Sequence, residues 1–223
     1  MTDSQLSKTT KRARQAGQKQ ERRQAILEAA WRIFQQSTYE AVTMDSVARE
    51  TGLAKGTLFL YFHTKEELFL AVTAQQLAEW FASVNEKLTQ LASPADRAKV
   101  IAFMADSLRE RAGFTRLLAI LSTVLEQNVT YASALEFKRA LLEMMLQTGA
   151  ELERCLHFLK TGEGAHLLMQ SQALVVGLWH LCDSAPVVKQ VFALPEMRAF
   201  EVDFDQEFRQ LLTALLNGLA QDR

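Results

Sequence analysis

The stretch Thr43–Phe62 reads TMDSVARETGLAKGTLFLYF. Apolar residues recur at helical spacing through Met44, Val47, Ala48 and Thr51, and the rhythm stops at Gly52. A second short rhythm begins at Lys55. Glycine at that place ends a helix cheaply, because it takes up a left-handed backbone without a side-chain penalty. The pattern predicts helices over about 44–51 and 55–62, joined by a tight turn. That is a helix-turn-helix unit, in which the second helix is narrow enough for the major groove while the first braces it.

The side chains of the second helix fit that use. Leu58 and Phe62 are four apart and should face inward. Lys55 then suits a phosphate or a guanine edge, Thr57 a phosphate, and Gly56 allows close backbone approach. Phe59 and Leu60 are poor choices for water but good ones for thymine methyl groups. Tyr61, His63 and Lys65 can hold phosphate near the start of the next helix. The alternative is a plain helical hairpin that packs Phe59 and Leu60 into a core.

Outward from this stretch the chain reads as all-α. Of its 223 residues 48% are hydrophobic and 23% charged, Gly and Pro are scarce at 9 and 3, and alternating β-branched runs are missing. A first helix is expected over Lys19–Gln36, with Ile26, Ala30, Ile33 and Phe34 inward. A fourth opens with a capping box, Thr64 on the amide of Glu67 and Glu67 reaching back, and runs to about Leu91. Ser93 and Pro94 are expected to start a fifth as cap and first helical residue. Further helices are placed at about 95–111, 114–127, 131–160, 163–184 and 203–220. A single turn is expected near Val187–Phe192, and an Asp203 cap on the last helix.

Charge divides the chain. Residues 1–65 hold 11 Lys+Arg against 6 Asp+Glu, and the remainder holds 14 against 20. A basic end on an acidic body suits a polyanion partner. Residues 1–18 read as a flexible basic arm able to follow a minor groove, or as a solvated tail. Residues 19–65 read as the helix-turn-helix domain and 66–223 as a larger regulatory and dimerisation domain. No apolar run approaches membrane-span length, and no secretory signal is evident. The two cysteines, Cys155 and Cys182, suit reduced, buried thiols. A cytoplasmic protein is expected.

Residues 22–71 resemble the N-terminal domain of the TetR family of bacterial transcriptional regulators. The matching elements are RRQAILEAAWRIF, the Tyr39–Thr43 approach, and TMDSVARETGLAKGTLFLYFHTKEELF. The resemblance covers about a quarter of the chain strongly; the rest is similar in length and helical character. It implies that the third helix is the recognition helix. Lys55, Thr57, Phe59 and Tyr61 would then contact DNA, with His63 and Lys65 on the backbone and Thr43 touching phosphate. Three positions depart from the family pattern. Thr38 stands where a Gly is usual, Ala54 replaces a Ser cap, and Phe59 replaces a Tyr and cannot donate a hydrogen bond.

The helix at 163–184 is apolar on more than one face, through Leu167, Leu168, Leu174, Val175, Leu178 and Trp179. With the last helix it could pair with its own copy into a four-helix seam, as the resemblance also implies. Two recognition helices about 34 Å apart would read a palindromic operator. The alternative is that both helices close a monomer core. Regulators of this kind often carry a ligand pocket, and Trp80, Phe103, Met104, Phe114, Leu121, Leu125, Met145, Trp179 and His180 are its candidate lining for a small apolar or amphipathic inducer. Such stripes also occur as ordinary core. Glu126, Asn128, His157 and His180 are candidate polar groups for orienting the ligand.

Cys155 with His157, and His180 with Cys182, match no standard zinc spacing. No nucleophile elbow, HExxH, P-loop or dinucleotide fingerprint occurs. No enzyme activity, metal or cofactor is expected. The reading is a dimeric DNA-binding repressor. Its rival is a helical protein-interaction module without DNA binding.

Overall fold

The computed structural model describes the backbone of residues 3–221 and the side chains of residues 15–221. Ten α-helices lie within them: α1 Asp3–Gln36, α2 Met44–Thr51, α3 Lys55–Phe59, α4 Lys65–Gln90, α5 Arg97–Arg109, α6 Ala112–Ile120, α7 Tyr131–Cys155, α8 Glu163–Cys182, α9 Pro186–Phe192 and α10 Phe204–Gln221. A π-helical turn, Leu121–Leu125, follows α6, and a 3-10 turn, Pro195–Phe200, follows α9. No strand occurs among the described residues, and no described helix is long and apolar enough to cross a membrane.

Helices α1 to α3 form a head. Ile26, Ala30, Phe34, Val47, Ala48, Leu58 and Phe62 are buried together there. Gly52 takes φ 67° and its amide closes on Ala48 and Arg49, so α2 ends where the sequence placed the end. Helix α1 starts well before Lys19. The basic side chains of Lys8, Lys11, Arg12 and Arg14, and the arm contact expected of them, lie outside the described side chains.

Helix α4 belongs to both head and body. Its first turns hold Phe69, which meets Phe34 and Tyr39 edge-on at centroid distances of 5.4 and 5.1 Å. Its later turns bury Leu77, Trp80, Phe81, Val84 and Leu88 in the body. Helix α7 runs parallel to α4. Ser133 donates to Glu67 at one end, and Arg154 donates to the Leu88 carbonyl at the other.

Several helix starts differ from expectation. Helix α5 begins at Arg97 with Asp96 as its cap, accepting from the Ala98 amide at 2.9 Å. The Ser93 hydroxyl instead donates to the Arg154 carbonyl at 2.6 Å. Helix α7 stops at Cys155, short of residue 160. Asp203 does accept from the Gln206 amide, at 2.7 Å, at the start of α10.

Helices α7 and α8 form an antiparallel hairpin that crosses at two glycines. A side chain on Gly164 would overlap the Gly149 carbonyl. Glu153 of α7 then accepts from the amides of Gly162 and Gly164 at 2.8 and 2.9 Å, which satisfies donors left open at the α8 start. Helix α10 is tied to α5 by Arg209, whose guanidinium donates to Asp106 at 2.7 Å and to Asp205 of its own helix at 2.9 Å.

The crossing leaves no space for a methyl group between two backbones. Gly164→Ala should therefore destabilise the body by about 2 kcal/mol or more. Urea unfolding measures this as a lower midpoint, and an unchanged midpoint would contradict the close crossing.

Candidate nucleic-acid interface

Helix α3 has only five residues. Its amides from Thr57 onward bond back normally, with Thr57 and Leu58 both donating to the Ala54 carbonyl. Ala54 offers no side-chain cap, as expected from the missing Ser. The helix stops at Phe59 rather than Phe62, and the chain continues as a tightened turn in which Leu60 bonds to Thr57 and Tyr61 and Phe62 both bond to Leu58. One side chain anchors the whole element: Leu58 is 0% exposed.

The outer side is different. Leu60 is 78% exposed and Phe59 is 37% exposed. Neither is taken into a core, so the plain-hairpin alternative does not describe these two residues. Gly56 is exposed, and a Cβ built on it would meet nothing within 4 Å. Packing within the chain therefore gives no reason for glycine there, whereas close approach by an outside molecule does.

Lys55 is exposed at the start of α3 and pairs with Asp45 of α2 at 2.9 Å. Thr43 caps α2. Its hydroxyl oxygen accepts from the Ser46 amide at 3.1 Å, and the Ser46 oxygen accepts from the Thr43 amide at 3.0 Å. Thr43 stays exposed, so its hydroxyl proton is available to an acceptor outside the chain. Thr57 is half-buried and His63 is exposed.

Two of the sequence-based candidates have internal roles. Lys65 is half-buried; its ammonium donates to the carbonyls of Tyr39 and Val42 at 2.8 and 3.1 Å and lies 3.8 Å from the Tyr39 ring centroid. Burial lowers its pKa, and Glu66 and Glu40 push back. An ammonium has three donors, and these contacts occupy them, so Lys65 holds the approach to α2 in place rather than standing free for phosphate. Tyr61 is half-buried and lines a cleft with Arg23, Phe62, Glu67 and Phe137, between head and body.

The capping box at α4 is half made. Thr64 accepts from the Glu67 amide at 3.0 Å, but the Glu67 carboxylate accepts from the His63 amide and from the Ser133 hydroxyl. Burial raises the Glu67 pKa, yet these bonds and one from the Thr130 amide outweigh it, and the net shift is downward. Thr64 also donates to the Asn128 carbonyl at 3.0 Å. Asn128 donates to Glu66 in turn, and Tyr39 donates to the other Glu66 oxygen at 3.0 Å. So Asn128 couples the loop after the π-turn to the start of α4, instead of orienting a ligand.

Sequence reasoning did not find Asp45 as the partner of Lys55, Arg23 stacked over Phe62 at 5.2 Å, or Arg116. Arg116 of α6 lies 3.8 Å from the Phe34 ring centroid and donates to the Phe34 carbonyl. Nothing in the local spacing signals these pairs: Arg23–Phe62 and Arg116–Phe34 join residues far apart in the chain, and Asp45 and Lys55 lie on different helices.

The body holds an apolar cavity of about 40 Å³. Trp80, Met104, Phe114 and Met145 line it, together with Leu77 and Phe208. Phe103 packs on the core without lining the cavity, and Leu121 and Leu125 are buried in the π-turn. Trp179 lines a separate depression beside α6, and His180 is exposed. Neither lines the cavity: Trp179 shares the α8 face of Gln172 and Val175 but lies a turn beyond it, towards the C-terminal end of the helix, whereas His180 is on a side turned to solvent. His157 is also exposed and lies 2.7 Å from the Ser93 oxygen, while Glu126 pairs with Lys138 at 2.6 Å.

Comparison with known proteins agrees with this division into head and body. Residues 26–72 match the family model described as bacterial regulatory proteins, tetR family, and residues 74–223 match that described as tetracyclin repressor-like, C-terminal domain. The HTH-type transcriptional regulator YhgD of Bacillus subtilis is 40% identical over 68 residues, which is 30% of this chain and 36% of that protein. The HTH-type transcriptional repressor AcnR of Corynebacterium efficiens is 39% identical over 64 residues, 29% of this chain and 34% of that one. The chain thus spans about a third of the length of these curated relatives. Among solved structures, the transcriptional regulator FadR from Bacillus subtilis in complex with stearoyl-CoA superposes with a TM-score of 0.55 at 18% identity, over 87% of this chain and 98% of that one. That likeness concerns the fold. With one family model on the helix-turn-helix head and another on the whole helical body, the chain belongs to the TetR family of bacterial regulatory proteins.

Proposed function

We propose that the protein is a sequence-specific transcriptional repressor that binds a palindromic operator as a homodimer and is released by a small apolar or amphipathic molecule. One observation carries the DNA-binding part. Helix α3 is anchored by fully buried Leu58 and presents exposed Leu60, part-exposed Phe59, bare Gly56 and Lys55 on its outer side. Apolar contacts to thymine methyl groups and a cation for phosphate or guanine are what a groove-reading helix needs. Lys65 braces the loop entering α2, against which α3 is set.

The dimer reading rests on α8 and α10. Met169, Ala173, Gly177 and Leu181 recur along one exposed side of α8, and Leu211, Ala214 and Gly218 along one exposed side of α10. Met169 and Leu181 are 51% and 59% exposed. Gly177 stands within α8 and Gly218 in the last turn of α10, each with open space where a side chain would go. An exposed glycine inside a helix costs about 1 kcal/mol against alanine, and close approach by another helix is the compensation that Gly177 offers.

The ligand reading rests on the body cavity and its surroundings. At about 40 Å³ it is far smaller than the roughly 300 Å³ that ligand sites occupy. A ligand must therefore push aside Met104 and Met145, which are unbranched and adaptable. Phe114 and Leu118 of α6 also line it. Displacing α6 strains both the Arg116–Phe34 contact and the loop that holds Thr64, Glu66 and Glu67. A ligand that favours the displaced arrangement lowers DNA affinity by its differential binding alone.

Fluorescence anisotropy with a duplex from the region upstream of the gene tests the DNA reading. Lys55→Met should weaken binding by about tenfold and leave thermal stability unchanged. Lys65→Met should lower the melting temperature by roughly 4 °C. A wild-type protein indifferent to every duplex at low salt would overturn the reading. For the dimer, sedimentation velocity at micromolar concentration should give a dimer for the wild type and a monomer for Gly177→Glu. A wild-type monomer would reject the seam.

A further inference from the structure

A further depression, of about 390 Å³, lies where head and body meet, and it shares no residue with the body cavity or with the cleft beside Tyr61. Trp31 of α1 and Trp179 of α8 both line it, and they are two of the chain's three tryptophans. Both are half-buried, so each keeps part of its ring in solvent. Among the described residues neither indole N–H has an acceptor, whereas the third, that of Trp80, donates to Ser107 at 3.0 Å.

Two guanidiniums border the same space. Among the described residues neither Arg111 nor Arg116 forms a direct ion pair; Asp183 and Glu40 act on Arg116 through space, pushing its pKa up against the larger lowering by burial. Arg116 is fixed in direction by the Phe34 ring and carbonyl, and its Nε has no partner. Glu110 is the one carboxylate on the lining. Gln35 and Gln76 add carboxamides.

We infer that this depression is an effector site for a planar aromatic compound with a single anionic group, separate from the body cavity. The two indoles offer ring faces and edges for stacking an aromatic ring. Arg111 offers the planar donor fork that a carboxylate or sulfonate takes up, and Arg116, held on Phe34, adds the free Nε donor and a positive charge. Glu110 disfavours a second negative charge and accepts from a hydroxyl or amino substituent. The site also joins parts that move relative to each other in any change of head angle. Trp31 belongs to the head, and Arg111, Arg116 and Trp179 belong to the body. Gly113 marks how closely they approach, since a Cβ there would lie 2.8 Å from the Trp31 Cη2 atom. An occupant between the indoles fixes the head against α6, and any effect of that on operator affinity rests on the proposed function.

Isothermal titration of the full chain with 2-naphthoate, without DNA, tests the site independently of that function. Methyl 2-naphthoate and 2-naphthylmethylamine serve as neutral and cationic probes of the same ring. We expect one site with a dissociation constant of about 10–100 µM for the acid, and binding at least about tenfold weaker for the ester and the amine. Arg111→Gln and Trp179→Leu should each weaken acid binding about tenfold, with partial recovery in Trp179→Phe. Met145→Ala, in the body cavity, should leave it unchanged. The absence of any heat of binding, equal binding of acid and ester, or loss of binding in Met145→Ala but not in Arg111→Gln would each overturn the assignment. Should Trp179→Leu fail to fold, Arg111→Gln and the ester comparison still decide. Naphthoate binding by a protein that binds no duplex would leave the site standing and remove only the repressor reading.

Discussion

A helix of five residues cannot hold its own shape in water, because the cost of nucleating a helix exceeds what one or two turns of hydrogen bonds return. Helix α3 exists because its surroundings are fixed first. Leu58 supplies the single inward contact. Gly52 turns the chain tightly before it, and Glu67 ties down the His63 amide just after it. Lys65 draws together the carbonyls of Tyr39 and Val42, so the loop entering α2 is braced from the same place. Gly56, Phe59 and Leu60 on the outer side of α3 are thereby free of structural duty, and Lys55 has only the exposed pair with Asp45 to give up, which is the condition for these residues to be spent on recognition.

The same brace connects head to body. Glu67 accepts from Ser133 at the start of α7, and Thr64 and Glu66 bond to Asn128 in the loop after the π-turn. Helix α6 reaches the head by another route, through Arg116 and Gly113 on Phe34 and Trp31. Contacts to the head and to the start of α4 therefore flank the α6–π-turn segment, from Gly113 and Arg116 near its start and from Asn128 just after its end, while Phe114 and Leu118 of α6 line the body cavity. π-turns inside helices are uncommon and often mark functional places. In the proposed mode of release, a change of shape around α6 would alter the setting of α3 with no contact between the ligand and α3.

Local patterns in the sequence were enough for the existence and order of the head helices and for the inward residues Ile26, Ala30, Phe34, Val47, Ala48 and Leu58, though not for the start of α1 or the end of α3. Each is fixed by periodicity or by a glycine whose backbone angle the turn demands. Contacts across long separations were not legible. Lys65 looked like a surface cation because its partners lie 23 and 26 residues away and are carbonyls, which leave no trace in sequence. Ser93 looked like a cap because Pro94 follows it, but Asp96 two residues on has the carboxylate, and it took the role. In α8, apolar on several sides, composition does not say which residues face the cavity: Trp179 lines another depression, and His180 is exposed. Phe59 and Leu60 could be read either way until their exposure was known.

The claim on which everything else rests is that the outer side of α3 enters the major groove. Dimethyl sulfate protection on a duplex selected by the protein from a random pool tests it directly, since the reagent methylates guanine N7 in the major groove and adenine N3 in the minor groove. The account predicts protected guanine N7 atoms in two patches about one helical turn apart, with protection lost in Leu60→Asp. Full reactivity of every guanine N7 in a duplex that the protein nonetheless retains would contradict it.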